Sequence, residues 1–347
     1  MRLKPEEETA FRVFGGFSVD PLVVLVPTHS FLVGNGTILD WLEEVAPRRR
    51  TLVLLQPLWS LEFLEVNRLY ECLGGGLVWD VFINRLKSYT GPISVIVVAN
   101  TQKDMEICHS VGLRSVFISQ NLFVDEEVFC IKRAAEIEFD AVLNARMGPL
   151  KRHYLAKKIA KLALIYGDSC VSDKVTLDCY YRVRAVLPHA TYLNGAFSRN
   201  KNTASWRWLS AKEVAAVYNK SRVGLSLSAV EGANWASMEY LLCGLPVVAT
   251  QGLGGREVFF TPQTAVICAD DSGAVAQAVA QVGAEQRDPE QIRRITLDLV
   301  AEHRQRFAEL LTDFAPQLGW DQMMTVIRNS ERSCQILSLA QLRAWLS

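Results

Sequence analysis

The sequence holds no Cys-x-x-Cys pair, no Asp-x-Asp motif and no group of histidines and cysteines at metal-ligand spacing. A zinc site therefore has no visible ligand set, and a cation-dependent transfer has no visible carboxylate pair. The 8 cysteines are scattered, several of them (Cys130, Cys243, Cys268) within apolar segments. They read as reduced, buried thiols, which a cytosolic protein keeps. No run approaches the about 18 consecutive apolar residues that a membrane-spanning helix needs. The opening residues 1–8 carry no apolar stretch behind their positive charge, so no secretory signal is expected, and the expected location is cytoplasmic. Charge of one sign is also missing in sum, with 37 Lys/Arg against 37 Asp/Glu. That balance gives no reason to expect nucleic acid or an anionic membrane as a partner.

What is present is a chain of 347 residues, half of them apolar, long enough for two α/β domains. Its charge is unevenly laid out. Residues 141–222 hold 15 Lys/Arg against 4 Asp/Glu, while the segments on either side are net acidic. A basic stretch inside a neutral protein points to a local anion site, or to cations on solvated helix faces.

Short β-branched runs alternate with amphipathic stretches, the pattern of parallel α/β layers. Strands are expected at 22–27, 51–56, 93–99 and 114–119, with helices such as 37–45 and 79–88 between them. A second series of strands is expected at 140–144, 162–166, 191–194, 222–226, 246–249 and 265–268, with helices at 211–220 and 237–243. Strand counting places a hinge in the polar segment 125–138, giving domains of 1–135 and 136–300. A helical tail, 301–347, has a return to the first domain open to it. Two doubly wound sheets bind ligands at the carboxyl ends of their strands, so the chemistry belongs in post-strand loops.

The most informative segment is 226–250. A buried strand ends, Glu231 and Gly232 follow in a turn, and a helix begins near Asn234 or Trp235 with Glu239 about one turn in. Free amides at that helix start favour an anion, and two ionised carboxylates accept hydrogen bonds from diols. Upstream, after the strand at 141–144, Arg146 and Lys151 flank Met147-Gly148-Pro149-Leu150. Arginine offers phosphate a planar fork and lysine a mobile point charge. Arg152, Lys157, Lys158 and Lys161 read as a solvated helix face, and His153 as a structural residue.

Glu231-x7-Glu239, followed by Gly244-x-Pro246 and Gly254-Gly255, resembles the E-x7-E signature of retaining GT-B glycosyltransferases of family 4, the group 1 type. Ala145-Arg146-x4-Lys151 resembles the Gly-Arg-x4-Lys phosphate clamp of the same family. The resemblance is dense over 140–260 and thin over the first 130 residues. Two departures stand out. Tyr240 occupies a position where the family usually has alanine, and Gly-Gly-Arg256-Glu257 is one residue shorter than the common form.

The resemblance implies two facing Rossmann-like domains with an interdomain active-site cleft, the first binding acceptor and the second a nucleotide-sugar donor. It implies that Glu231 contacts the donor sugar and Glu239 the ribose. The backbone of Gly232, Ala233, Asn234 and Trp235 would hold phosphate and sugar. Arg146 and Lys151 would neutralise the leaving diphosphate, the part a metal plays elsewhere, so no cofactor and no metal are expected. In the first half, Gly34 and Gly36 resemble the family's glycine loop facing the donor, though Gly-Asn-Gly is also an ordinary turn. His29, Gln120 and Asn121 are candidates on the acceptor side.

The expected reaction is transfer of a sugar from a UDP-, GDP- or ADP-linked donor with retention of configuration. The acceptor class, whether saccharide, lipid, small molecule or peptide, is not written in the sequence. Two other readings use the same architecture: a sugar-nucleotide epimerase or hydrolase, and a non-catalytic donor-binding partner subunit.

Overall fold

A computed structural model describes residues 15–319 except 29–30, 34–35, 47, 68–78, 133–135, 169–171, 199–204 and 318. The chain divides into two compact units, one formed by the described residues up to Phe123 together with those from Ala301 on, the other by those from Val124 to Val300.

The first unit contains β1 (Gly15–Val19), β2 (Leu22–Pro27), β3 (Leu32–Val33), β4 (Gly36–Thr37), α1 (Ile38–Val45), β5 (Thr51–Gln56), α2 (Leu61–Asn67), α3 (Trp79–Ser88), β6 (Ser94–Ala99), α4 (Gln102–Ser110) and β7 (Ser115–Phe117). Its sheet runs β1-β2-β5-β6-β7, parallel except for β1, which pairs antiparallel with β2. Strands β2 and β5 are buried throughout, as parallel strands covered on both faces must be. Successive side chains alternate between two cores. Leu22, Val24 and Val26 meet Leu39, Leu42, Leu61, Phe82 and Ile107 from all four helices. Val23, Leu25, Leu52 and Leu54 meet Phe307, Leu311 and Phe314 near the end of the described chain. Helix α1 starts sharply because Thr37 and Asp40 form a reciprocal capping box, with Thr37 N donating to Asp40 Oδ2 at 2.6 Å.

The second unit contains β8 (Ala141–Asn144), β9 (Leu162–Ile165), α5 (Asp173–Val186), β10 (Thr191–Tyr192), α6 (Ala211–Tyr218), β11 (Gly224–Ser226), α7 (Trp235–Leu242), β12 (Val247–Thr250), β13 (Ala265–Cys268) and α8 (Ser272–Ala284). Helix α9 (Pro289–Thr312) begins in this unit and ends in the first. All six strands are parallel, in the order β10-β9-β8-β11-β12-β13. Counted within the unit this is 3-2-1-4-5-6, the doubly wound order, and the winding reverses between β8 and β11. Among the described residues no helix is long and apolar enough to cross a membrane.

The expected strands are all present: those at 22–27, 51–56 and 265–268 match the reading, β12 is shifted by one residue, and the others are one to three residues shorter. The additions are the antiparallel edge strand β1 and the β3–β4 pair, where Leu32 faces Thr37 and Val33 faces Gly36. The basic stretch after Lys151 is not the expected helix. Residues 149–151 and 153–156 form two tight 3-10 turns joined by Arg152, whose backbone is left-handed at φ 49°.

Candidate functional site

The winding reverses between β8 and β11, and doubly wound sheets take their ligands at the carboxyl ends of the strands at that point. Arg146 and Lys151 follow β8, and Glu231 follows β11. Backbone bonds knit these loops to the one after β12. Ala229 N donates to Leu150 O at 2.8 Å, Leu253 N to Ala229 O at 2.8 Å, Glu231 N to Leu253 O at 3.0 Å and Gly255 N to Gly232 O at 2.5 Å. Gly254 sits at φ 99°, where a side chain would be strained, so the second glycine-rich loop depends on it.

Lys151 Nζ donates to Glu231 Oε1, joining two residues 80 apart in sequence. Both side chains are nearly buried, 13% and 12% exposed, so water screens the pair weakly. Glu231 Oε1 also accepts from Asn234 Nδ2 at 3.3 Å. Asn234 has φ 56°, a left-handed conformation that asparagine tolerates well, and its Oδ1 accepts from Ser237 N at 3.1 Å. One side chain thus caps α7 and steadies Glu231. Gly232 and Ala233 are buried between them, and Trp235 opens the helix.

Arg146 takes a different position. Its Nη1 donates to Asp168 Oδ1 at 2.9 Å, beyond the end of β9, with both side chains about half exposed. Glu239 lies on α7, where Tyr218 OH donates to its Oε2 at 2.6 Å. Burial pushes its carboxyl up to about 7, and the Tyr218 hydrogen bond offsets only part of that rise.

In the first unit, Gly36 lies in β4, while His29 and Gly34 fall outside the described residues. Gln120 and Asn121 form a 3-10 turn after β7, with Asn121 fully buried and Gln120 N donating to Asn100 Oδ1 at 3.1 Å.

Sequence reasoning missed several residues here. Arg152, expected on a solvated face, is instead an internal brace. Its guanidinium donates to Leu227 O at 2.5 Å, Thr250 Oγ1 at 2.7 Å, Gln251 O at 2.9 Å and Ser228 O at 3.1 Å, and it pairs with Asp270 at 2.6 Å. The left-handed turn at Arg152 swings the side chain inward, and nothing in the local composition signals it. Fully buried Arg256 donates to Ser228 O at 2.7 Å and Ser226 O at 3.0 Å, and pairs with Glu257 at 2.9 Å. The signal available was Gly252, where a Cβ would lie 2.7 Å from the Arg256 guanidinium carbon. Buried His153 is held neutral, its imidazole pushed down to about 4 by burial, and its Nε2 has no hydrogen-bond partner. The structural reading of His153 agrees with that burial.

Tyr240, the departure from the family pattern, is also accounted for. Its ring fills the space over Gly224 in β11, where any Cβ would collide with it, and its hydroxyl accepts from Asn144 N at 2.7 Å.

Comparison with known proteins begins with the fold. The chain superposes on sucrose-phosphate synthase from Thermosynechococcus elongatus with TM-score 0.56 at 14% identity, covering 88% of this chain and 72% of that one. Anabaena HepE, solved with UDP and glucose, gives TM-score 0.57 at 14% identity, covering 84% and 78%. The pneumococcal O-GlcNAc transferase GtfA, solved with UDP and GlcNAc, gives 0.51 at 13%, covering 81% and 60%. The architecture shared with these proteins is the two-domain α/β fold of GT-B glycosyltransferases. Residues 178–312, which contain Glu231 and Glu239, match the family described as glycosyl transferase-like. The fold is thus that of GT-B glycosyltransferases, and the part of the chain that holds Glu231 and Glu239 resembles the glycosyl transferase-like family. No curated protein matches it in sequence.

Proposed function

We propose that the second unit binds a UDP-sugar and that the enzyme transfers the sugar with retention of configuration. The observation that carries this reading is the Lys151–Glu231 pair at the reversal point of a 3-2-1-4-5-6 sheet, with Glu239 on the helix that follows. Uridine is favoured as the base because HepE and GtfA were both solved with UDP.

In this reading the diphosphate displaces Glu231 from the Lys151 ammonium, and Glu231 turns to a hydroxyl of the donor sugar. Arg146 exchanges exposed Asp168 for phosphate, a change with little cost because half-exposed pairs are weak. Amides from Gly232 to Trp235 receive negative charge at the positive end of the α7 dipole. As the glycosidic bond lengthens, Lys151 and Arg146 stabilise charge on the departing UDP, and a departing phosphate oxygen takes the acceptor proton. These cations do the work assigned elsewhere to a divalent metal, so transfer persists in EDTA. The location we assign to the protein is the cytoplasm.

The test is titration calorimetry with UDP, GDP and ADP, followed by their sugar conjugates and by NMR of the product anomer. UDP binding and a product keeping the donor's α or β configuration are expected. Conversion of the free donor to an isomer without acceptor would replace transfer with epimerisation.

A further inference from the structure

The hydrogen bonds around Glu239 extend to a residue that the family pattern does not include. Tyr218, the last residue of α6, is fully buried, and its hydroxyl stands between two groups. It donates to Glu239 Oε2 at 2.6 Å and accepts from Asn144 Nδ2 at 2.6 Å. Asn144 ends β8, two residues before Arg146, and its backbone N–H is bonded to Tyr240 OH. The Tyr218 and Tyr240 rings meet edge to face, 4.7 Å between centroids. A single asparagine therefore fastens the end of β8 to both tyrosines, and through Tyr218 to the carboxylate on α7.

From this geometry we infer that Tyr218 is a positioning residue for the donor's ribose: held by Asn144, it locks one oxygen of Glu239 and leaves the other for the ribose hydroxyls. The inference rests on the reading of Glu239 as the ribose contact. A phenol suits the task because its hydroxyl donates to the Glu239 carboxylate while its buried ring packs against Phe129 and Tyr240. Hydrogen bonds donated to a carboxylate are among the stronger ones, and they favour its ionised form, the form that accepts from a diol.

The groups facing Glu239 make its ionisation measurable. Tyr218 comes from α6, while Tyr240 and Cys243 lie on its own helix, and burial raises the ionisation of all three above their usual ranges. Beyond Cys243 lie Cys130, Lys132 and Arg293. None of Tyr218, Tyr240 and Cys243 titrates near neutrality, so the change there belongs to the Glu239 carboxyl. In the wild type, UDP affinity is expected to fall as pH drops through about 7, where burial has placed the Glu239 carboxyl. Removing the Tyr218 hydroxyl takes away the hydrogen bond that opposes that rise, so the loss must begin at higher pH.

The experiment is UDP titration of the full chain from pH 5.5 to 9 for wild type, Tyr218→Phe and Glu239→Gln, with thermal melts of each. For Tyr218→Phe, binding about tenfold weaker at pH 7 is expected, together with an acid midpoint moved upward and a deficit that shrinks toward pH 9. A uniform loss at every pH, or wild-type binding, overturns the inference. Should Tyr218→Phe fail to fold, Asn144→Ser keeps the phenol and loosens it. A smaller upward shift then supports the inference, and an unmoved midpoint overturns it. Glu239→Gln separates the two levels of argument. If it binds UDP as wild type does, the ribose role of Glu239 and the Tyr218 inference fall together. If it binds weakly without pH dependence while Tyr218→Phe matches wild type, the Tyr218 inference falls alone.

Discussion

In the first unit β1, β2, β5, β6 and β7 lie side by side in chain order, whereas in the second β8 sits between β9 and β11 and the winding turns back. The consequence for packing is direct. Right-handed crossovers that always step in one direction put their helices on one face, and α1 to α4 all contribute to a single core. The other face of that sheet is covered by Phe307, Leu311, Phe314 and Ala315 from the end of the described chain. A sheet that reverses clothes both faces as it is built. Here α5 and α8 pack on one side, and α6, α7 and the start of α9 on the other. The Lys151–Glu231 pair stands at the point of reversal, joining the loops that leave β8 and β11. The first unit closes its second core with the far end of the described chain, whereas the second covers both faces of its sheet largely with helices that connect its own strands.

The sharpest way to test this contrast is Phe307→Ala. It should destabilise the protein by about 3–5 kcal/mol in chemical denaturation, as loss of a buried ring does. UDP affinity of the molecules that remain folded should be unchanged, because Phe307 lies in a core of the first unit and the contacts proposed for UDP, Lys151, Arg146, Glu239 and the amides from Gly232 to Trp235, all lie in the second. Next in size is Lys151→Ala, expected to lower transfer about 100-fold in a steady-state assay of folded protein. Near-normal turnover would remove the clamp from the crevice. Arg152→Lys keeps the charge but cannot span the carbonyls of two loops and the Asp270 carboxylate of a third, so UDP affinity should fall about tenfold by calorimetry. If lysine restored binding fully, charge alone would explain Arg152. The smallest effect belongs to Asp168→Asn. It breaks a half-exposed pair and should change unfolding free energy by no more than about 0.5 kcal/mol, while UDP affinity holds or improves.

Legibility followed the same division. Parallel strands such as β2, β5 and β12 are continuous apolar runs, and the helix start at Asn234 has an amide side chain where a cap is wanted, so sequence alone exposes them. Strand β1, Gly-Gly-Phe-Ser-Val at an antiparallel edge, has neither a long apolar run nor clean alternation, so the sequence carries no signal for it. Glu231 and Lys151 were visible as motif residues, yet their direct contact needed the fold. Arg152 and Tyr218 were invisible for another reason. Each works through a direction of approach, one set by a left-handed backbone, the other by the last residue of a helix that otherwise reads as packing.

Gly224 and Tyr240 show what such dependence means for the order in which residues can be exchanged. The bare backbone of one is the floor on which the ring of the other rests. Alanine at 240 alone would leave a void, and any side chain at 224 alone would find its room taken. A side chain at 224 becomes possible only once the ring at 240 is smaller, so exchanging both residues one at a time passes through a less stable intermediate.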